Sequence, residues 1–310
     1  MKVFNNTAYG LAIGVVRALE AKLIKDDDFS RLRACRSVEE FGSELKNLNY
    51  FIDQFSNSID FNFKLNSYFN KVVFELKENC PPFAPFNLIF FENDCFNLKT
   101  IIFLKRKNAN VDDFALKPGL LSKASIESYC SGCCVLPSPF FELAIELDRL
   151  LDLNCSNFEI LNQFNKKQFE LKLGLSKTDE FLFKRAKLEV DLHNCRLVLR
   201  ALKLNLNDDN LNEVLVPGGE VDLNLILEAF SKGVDHLTKL FKLAWAFNLE
   251  NMLSNFDVAE EMFFKKISDF DFKTSCLPFS FSAVLAYLNK LQWEHRNLKH
   301  ILTKLIFLGG

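Results

Sequence analysis

The sequence is poor in polar aromatic residues: 2 Trp and 5 Tyr stand beside 34 Phe in 310 residues. Most buried rings therefore lack a hydrogen-bonding handle, and packing rather than directional bonding must hold them. A charge excess is also missing. The 38 Lys and Arg nearly balance 40 Asp and Glu, for a net charge of −2, so no overall field favours nucleic acid. No long apolar run exists either. The longest, Ala8 to Val16, holds 9 residues, whereas a membrane-spanning helix needs about 20. Lys2 ahead of that run suggests the start of a secretory signal, but Arg17 and Glu20 occupy the place of small cleavage residues, and the Ala/Leu pattern continues to Ile24. The 9 cysteines are odd in number and scattered, which fits a reducing cytosol better than a disulfide framework.

What remains is the composition of a globular chain, 49% hydrophobic and 25% charged, long enough to bury several small cores. Its periodicity predicts helices. One runs from Ala8 to Lys25 and should stop at Asp26, Asp27 and Asp28. Another opens at Ser37 with Glu40 three residues on, a capping box. Three of the 8 prolines, Pro81, Pro82 and Pro85, cluster at a boundary, because a helix interior does not tolerate them. A helix then runs over Phe86 to Lys107. Ser138 with Pro139, Ser156 with Glu159, and Ser176 with Asp179 read as further helix starts. Helices are also expected over Leu225 to Phe230, Leu237 to Phe247, Val258 to Ile267 and from Pro278 to the end. Alternation at Phe61, Phe63 and Leu65, and again at Phe169, Leu171, Leu173 and Leu175, is the argument for strand. No hairpin signal pairs these runs, and the all-α reading is preferred.

An internal repeat dominates the sequence. Aligned on Asn97, Asn194 and Asn297, which lie 97 and 103 residues apart, three segments share an acid three positions earlier (Asp94, Asp191, Glu294). They also share a base two positions later (Lys99, Arg196, Lys299). Turns with a shared Pro-Gly, Leu116-Lys117-Pro118-Gly119 and Leu215-Val216-Pro217-Gly218-Gly219, close the first two copies. A module of about 100 residues therefore recurs. Its apolar stripe is Leu188, Leu192, Cys195, Leu199 and Leu202 in the second copy. The equivalents are Phe91, Cys95, Leu98, Ile102 and Lys105 in the first, and Leu291, His295, Leu298, Leu302 and Leu305 in the third. The acid and Asn lie beside the stripe and should be half-buried, bonded to N–H groups near the start of a neighbouring helix or to a base. The base should face solvent. The signature then reads as a helix-docking lock.

Candidate chemistry is sparse. Cys130-Ser131-Gly132-Cys133-Cys134 contains one C-x-x-C, half of a zinc site without its second half. His193 and His295 fall within copies of the module but form no triad, and with His236 and His300 are expected at surfaces or boundaries. Asp26 to Asp28 resemble a magnesium-binding aspartate pair without its later acid, since Ser30 and Arg31 come next. Gly218-Gly219 lacks the Lys and Ser/Thr of a phosphate loop. No catalytic, cofactor or metal residue is assigned.

The sequence resembles the C subunit of V-type ATP synthases, related to the d subunit of eukaryotic V-ATPases. Leu188-Glu189-Val190-Asp191 with Asn194 and Leu199-Arg200, Asn93-Asp94 with Asn97-Leu98, and Val284-Leu285-Ala286-Tyr287-Leu288 with Glu294 and Asn297-Leu298 carry the likeness, together with the two Pro-Gly turns. Tyr9, Ala12 and Arg17 to Glu20 also fit, whereas Ile13 and Val15 stand where the family often has arginines. The resemblance implies a single all-α unit shaped as a funnel of three pseudo-threefold-related helical bundles, divided near 1–80 with 280–310, 81–155 and 156–279. It further implies a non-catalytic central-stalk subunit, peripheral on the cytoplasmic face of the membrane. Its partners would be the central shaft and the proteolipid ring, linking ATP chemistry to proton or sodium transport, with no cofactor. A helical-repeat adaptor for other partners is the alternative.

Overall fold

The computed structural model describes residues 9–48, 50, 55–80, 85–114, 116–117, 119–153, 155–177, 179–275 and 281–308, and among these it has fifteen α-helices and no strand. In chain order they are α1 (Gly10–Glu20), α2 (Asp26–Ala34), α3 (Val38–Asn47), α4 (Ser58–Glu78), α5 (Pro85–Arg106), α6 (Lys123–Cys130), α7 (Phe140–Asp152) and α8 (Asn157–Ser176). These are followed by α9 (Glu180–Leu204), α10 (Asp208–Val214), α11 (Leu223–Ser231), α12 (Val234–Trp245), α13 (Leu249–Ser254), α14 (Phe256–Ser275) and α15 (Phe281–Leu308). Both alternating stretches are helical. Phe61 and Leu65 are buried one turn apart on α4 while Phe63 is exposed, so the alternation is the edge of a helical face.

Three local readings need correction. Asp26, Asp27 and Asp28 do not stop a helix; they form the first turn of α2, where carboxylates meet the positive end of the helix dipole. The first helix accordingly ends at Glu20 rather than Lys25. Ser176 does not open a helix but closes α8, and Asp179 is itself the cap of α9, accepting from the Leu182 N–H at 2.9 Å. At Ser138 the start lies one residue later, with Pro139 in the capping position. Ser37 caps α3 by accepting from the Glu40 N–H, but the expected reciprocal box is incomplete, because the Glu40 carboxylate accepts from the Arg36 N–H at 2.7 Å instead; Ser156 forms the full reciprocal box with Glu159.

Helix lengths obey a recurring plan. After α5 come helices of 8, 13 and 20 residues (α6, α7, α8). After α9, with short α10 and α13 interposed, come 9, 12 and 20 (α11, α12, α14). Near the N-terminus α2, α3 and α4 have 9, 10 and 21 residues. The helices bearing the signature, α5, α9 and α15, are the longest, at 22, 25 and 28 residues.

The described residues group into two compact units. One comprises those of Met1–Asp94, Asn110–Leu120 and Asp271–Gly310; the other those of Cys95–Ala109 and Leu121–Phe270. In the first, Leu298, Ile301 and Leu302 of α15 share a core with Phe29, Leu32, Phe41, Leu45, Phe61 and Leu65 from α2, α3 and α4. Edge-on contacts among Phe41, Phe55 and Phe61 show how a Phe-rich sequence fills this space. In the second, Leu192, Cys195, Val198 and Leu199 of α9 pack with Leu211, Ile226, Leu237, Phe241, Trp245 and Phe263. Full burial of each such side chain contributes roughly 1.5–3 kcal/mol, and the stripe of the signature helix lies in both cores.

Candidate functional site: three buried acid anchors

The second copy is the most completely bonded. Asp191 Oδ2 accepts from the Glu220 N–H at 3.1 Å and Oδ1 from the Val221 N–H at 3.2 Å. One turn further along α9, the Asn194 amide donates to the Val216 carbonyl at 2.8 Å, and its oxygen accepts from the Val216 N–H at 2.9 Å. Two side chains thus fasten both ends of the turn that contains Pro217, Gly218 and Gly219. Gly218 has φ +101°, a conformation that an L side chain resists. Burial raises the Asp191 pKa, while the Val221 and Glu220 N–H groups pull it down. Arg196 makes a two-pronged contact with Glu260 of α14, at 2.7 and 3.1 Å, and lies over the Phe263 ring.

In the first copy Asp94 Oδ2 accepts from the Leu120 N–H at 3.1 Å, immediately after the Pro118-Gly119 pair. Lys99 lies over the Phe164 ring, 5.2 Å from its centroid. The third copy carries Glu in place of Asp. Its Oε2 accepts from the Ile24 N–H and its Oε1 from the Tyr50 hydroxyl, each at 2.6 Å. Burial pushes the Glu294 pKa up to about 7, opposed by these two bonds. Asn297 donates to Trp293 of its own helix, at 3.1 Å, and Lys299 donates to the Asn66 amide oxygen at 3.2 Å.

One relationship recurs. Leu120 precedes Ser122, the cap of α6; Glu220 and Val221 precede Asp222, the cap of α11; Ile24 precedes Lys25, in the capping position of α2. Each acid therefore grips backbone one or two residues ahead of the capping residue of a short helix. The third grip takes its turn from the other end of the sequence, 270 residues away. Acid and Asn are buried in all three copies, not half-buried as a helical wheel suggests; a turn bonded to Asp94, to Asp191 and Asn194, and to Glu294 supplies cover that the wheel does not show. The bases are partly buried against a ring, a carboxylate or an amide, rather than solvated.

The other candidates scatter. His193 packs on the Phe169 ring and His236 and His300 are exposed. His295, expected at a surface or boundary, is buried against Phe69 because it sits in the apolar stripe of α15; burial, and next the Lys299 charge, lower its pKa to about 3. Cys134 donates to the Ser125 carbonyl and Cys133 is exposed. Among the described residues no group of three or more His, Cys, Asp or Glu is placed to hold a metal, and no helix is long and apolar enough to cross a membrane. Tyr50, Asn66, Glu260 and Phe164 complete the three sites and are not identifiable from sequence; their roles are set by long-range contacts that no local pattern encodes.

The protein is thus an all-helical one whose recurring polar groups fasten backbone to side chain. Residues 12–304 match the model of the family described as ATP synthase (C/AC39) subunit, and the chain belongs to that family. It is similar to the A-type ATP synthase C subunit of Pyrococcus furiosus, with 24% identity over 334 aligned positions covering 96% of this chain and 87% of the relative. The corresponding A-type ATP synthase protein of Thermococcus kodakarensis is also 24% identical, covering 94% and 85% respectively. That of Thermococcus onnurineus is 21% identical, covering 73% and 65%.

Proposed function

We propose that this protein is a non-catalytic coupling subunit of a rotary A/V-type ATP synthase. It would form the socket between the central shaft and the proteolipid ring on the cytoplasmic face of the membrane. Three similar helical modules around a pseudo-threefold axis would line that socket. Asp94, Asp191 and Glu294 would act as locks within each module, with Asn97, Asn194, Asn297, Lys99, Arg196 and Lys299 as supporting contacts. The observation that carries the reading is the membership of residues 12–304 in the ATP synthase C/AC39 family. The threefold recurrence of a buried acid gripping the entry to a short helix supports the modular part. Rotation under load demands stiffness, and buried charge-assisted bonds to backbone resist shear better than apolar contacts alone. Removing the protein from membranes should release the soluble ATPase sector and abolish ATP-driven ion pumping. Retained pumping in membranes that lack it would refute the coupling role.

A further inference from the structure

Beside the third anchor a cavity of about 340 Å³ opens in the first unit, a volume within the range of small-molecule sites. Three cationic side chains line it: Arg296 and Lys299 from one face of α15, and Lys117 from the turn that Asp94 grips. The amides of Asn66, Asn93 and Gln292 complete its polar wall. Among the described residues the lining includes no carboxylate; Glu92, next to Asn93, is the acid whose field reaches Lys117. His295 at its inner wall is neutral at ordinary pH, since its pKa lies near 3.

This arrangement differs from the other two copies of the signature. Arg196 meets a carboxylate and Lys99 meets a ring, whereas Lys299 meets the Asn66 amide oxygen and feels a second ammonium, that of Lys117. Partial burial holds both lysines below the ordinary lysine range, and Lys117 depresses Lys299 further. Like charges gathered in a walled recess concentrate an attractive field for anions. Amide groups beside them can donate to several oxygens of one compact ligand.

We propose that this cavity binds a diphosphate group, either as free diphosphate or as the diphosphate of a nucleotide. The diphosphate's charge of about −3 near neutral pH, since terminal phosphate ionises near pH 6, is opposite in sign to the three lining cations, whose field Glu92 offsets in part at Lys117. Its oxygens are numerous enough to engage cations and amides together. The site is independent of the coupling role proposed above, because it is read from the lining alone.

Titration calorimetry of the full chain with inorganic pyrophosphate and, separately, with ADP tests the assignment. Saturable 1:1 binding of pyrophosphate that weakens as salt is raised is expected, and Arg296→Gln and Lys117→Gln should each weaken it about tenfold. Lys239→Gln, an exposed lysine outside the cavity, should leave it unchanged. Binding of both ligands, with the same sensitivity to these substitutions, identifies the diphosphate itself as the recognised group; binding of ADP alone, with that sensitivity, places the site with nucleotides. Matching thermal melts of the variants would exclude misfolding as the cause of any loss. Absence of saturable binding by either ligand, or binding insensitive to both cavity substitutions, overturns the proposal.

Discussion

Gly219 lies directly beneath the Asp191 carboxylate: a Cβ placed on Gly219 would stand 2.0 Å from Asp191 Oδ1 and 2.9 Å from Cγ. The absence of a side chain at one residue is what lets the carboxylate of the other reach two successive backbone N–H groups. Gly219→Ala should therefore destabilise the protein by about 2–3 kcal/mol. In an Asp191→Ala background the same change should cost much less, since the clash is gone. A urea-denaturation double-mutant cycle measures the coupling, and strict additivity would show that the pair is not the seat of the effect.

Asn194 uses both ends of its amide on a single buried residue, Val216. Asn194→Ala leaves that N–H and C=O without their partner and should cost about 2–4 kcal/mol. Asn194→Asp keeps an acceptor for the Val216 N–H but offers no donor to the Val216 carbonyl, so it should not restore stability. Equilibrium unfolding of both variants checks the order.

The folded-state pKa of Glu294 is raised to about 7 from an ordinary 4.5, first by burial. The folded protein thus holds this proton more tightly than the unfolded chain does. Its stabilising contribution is fully present below pH 4.5 and is lost as pH rises through 7, a change of roughly 3 kcal/mol. Glu294→Gln, which keeps an oxygen for the Tyr50 hydroxyl, should remove that slope. Stability measured from pH 4.5 to 8 for both proteins, and taken as a difference, isolates it from the other carboxylates.

Arg196 and Glu260 form a two-pronged pair whose side chains are 30% and 26% exposed. Replacing Arg196 with Lys loses the planar fork and its stacking on Phe263, and should cost about 1 kcal/mol. Lys99 has a ring contact at the equivalent position, so Lys99→Arg should be tolerated. Thermal melts of the two variants make the comparison.

Much of this is legible in sequence because repetition reveals which positions matter without reference to relatives. The acid, Asn and base emerge when the chain is aligned with itself, and the Pro-Gly turns mark the ends of its first two copies. Helix starts at Ser37 and Ser156 are visible because a capping Ser with Glu three residues on is a local pattern, even though only Ser156 completes the reciprocal box. Burial of Asp191 and Asn194 is underestimated by a helical wheel, which shows only one helix, while the cover comes from a turn 22 to 30 residues away. Tyr50 meeting Glu294 across 244 residues is beyond any local pattern. Asp26 to Asp28 mislead for a different reason: three adjacent acids resemble a break after an apolar helix, yet in a first turn they favour a beginning.

The third anchor gives the chain a different history from the other two. Asp94 and Asp191 find their turns 26 and 29–30 residues downstream, so each can engage soon after it leaves the ribosome. Ile24 must wait for Glu294, which is made 270 residues later. Loop closure over that distance is slow relative to local pairing. The first two grips can form while the chain is still being made, whereas the third ties the turn before α2 to the last helix and forms only when synthesis is nearly complete.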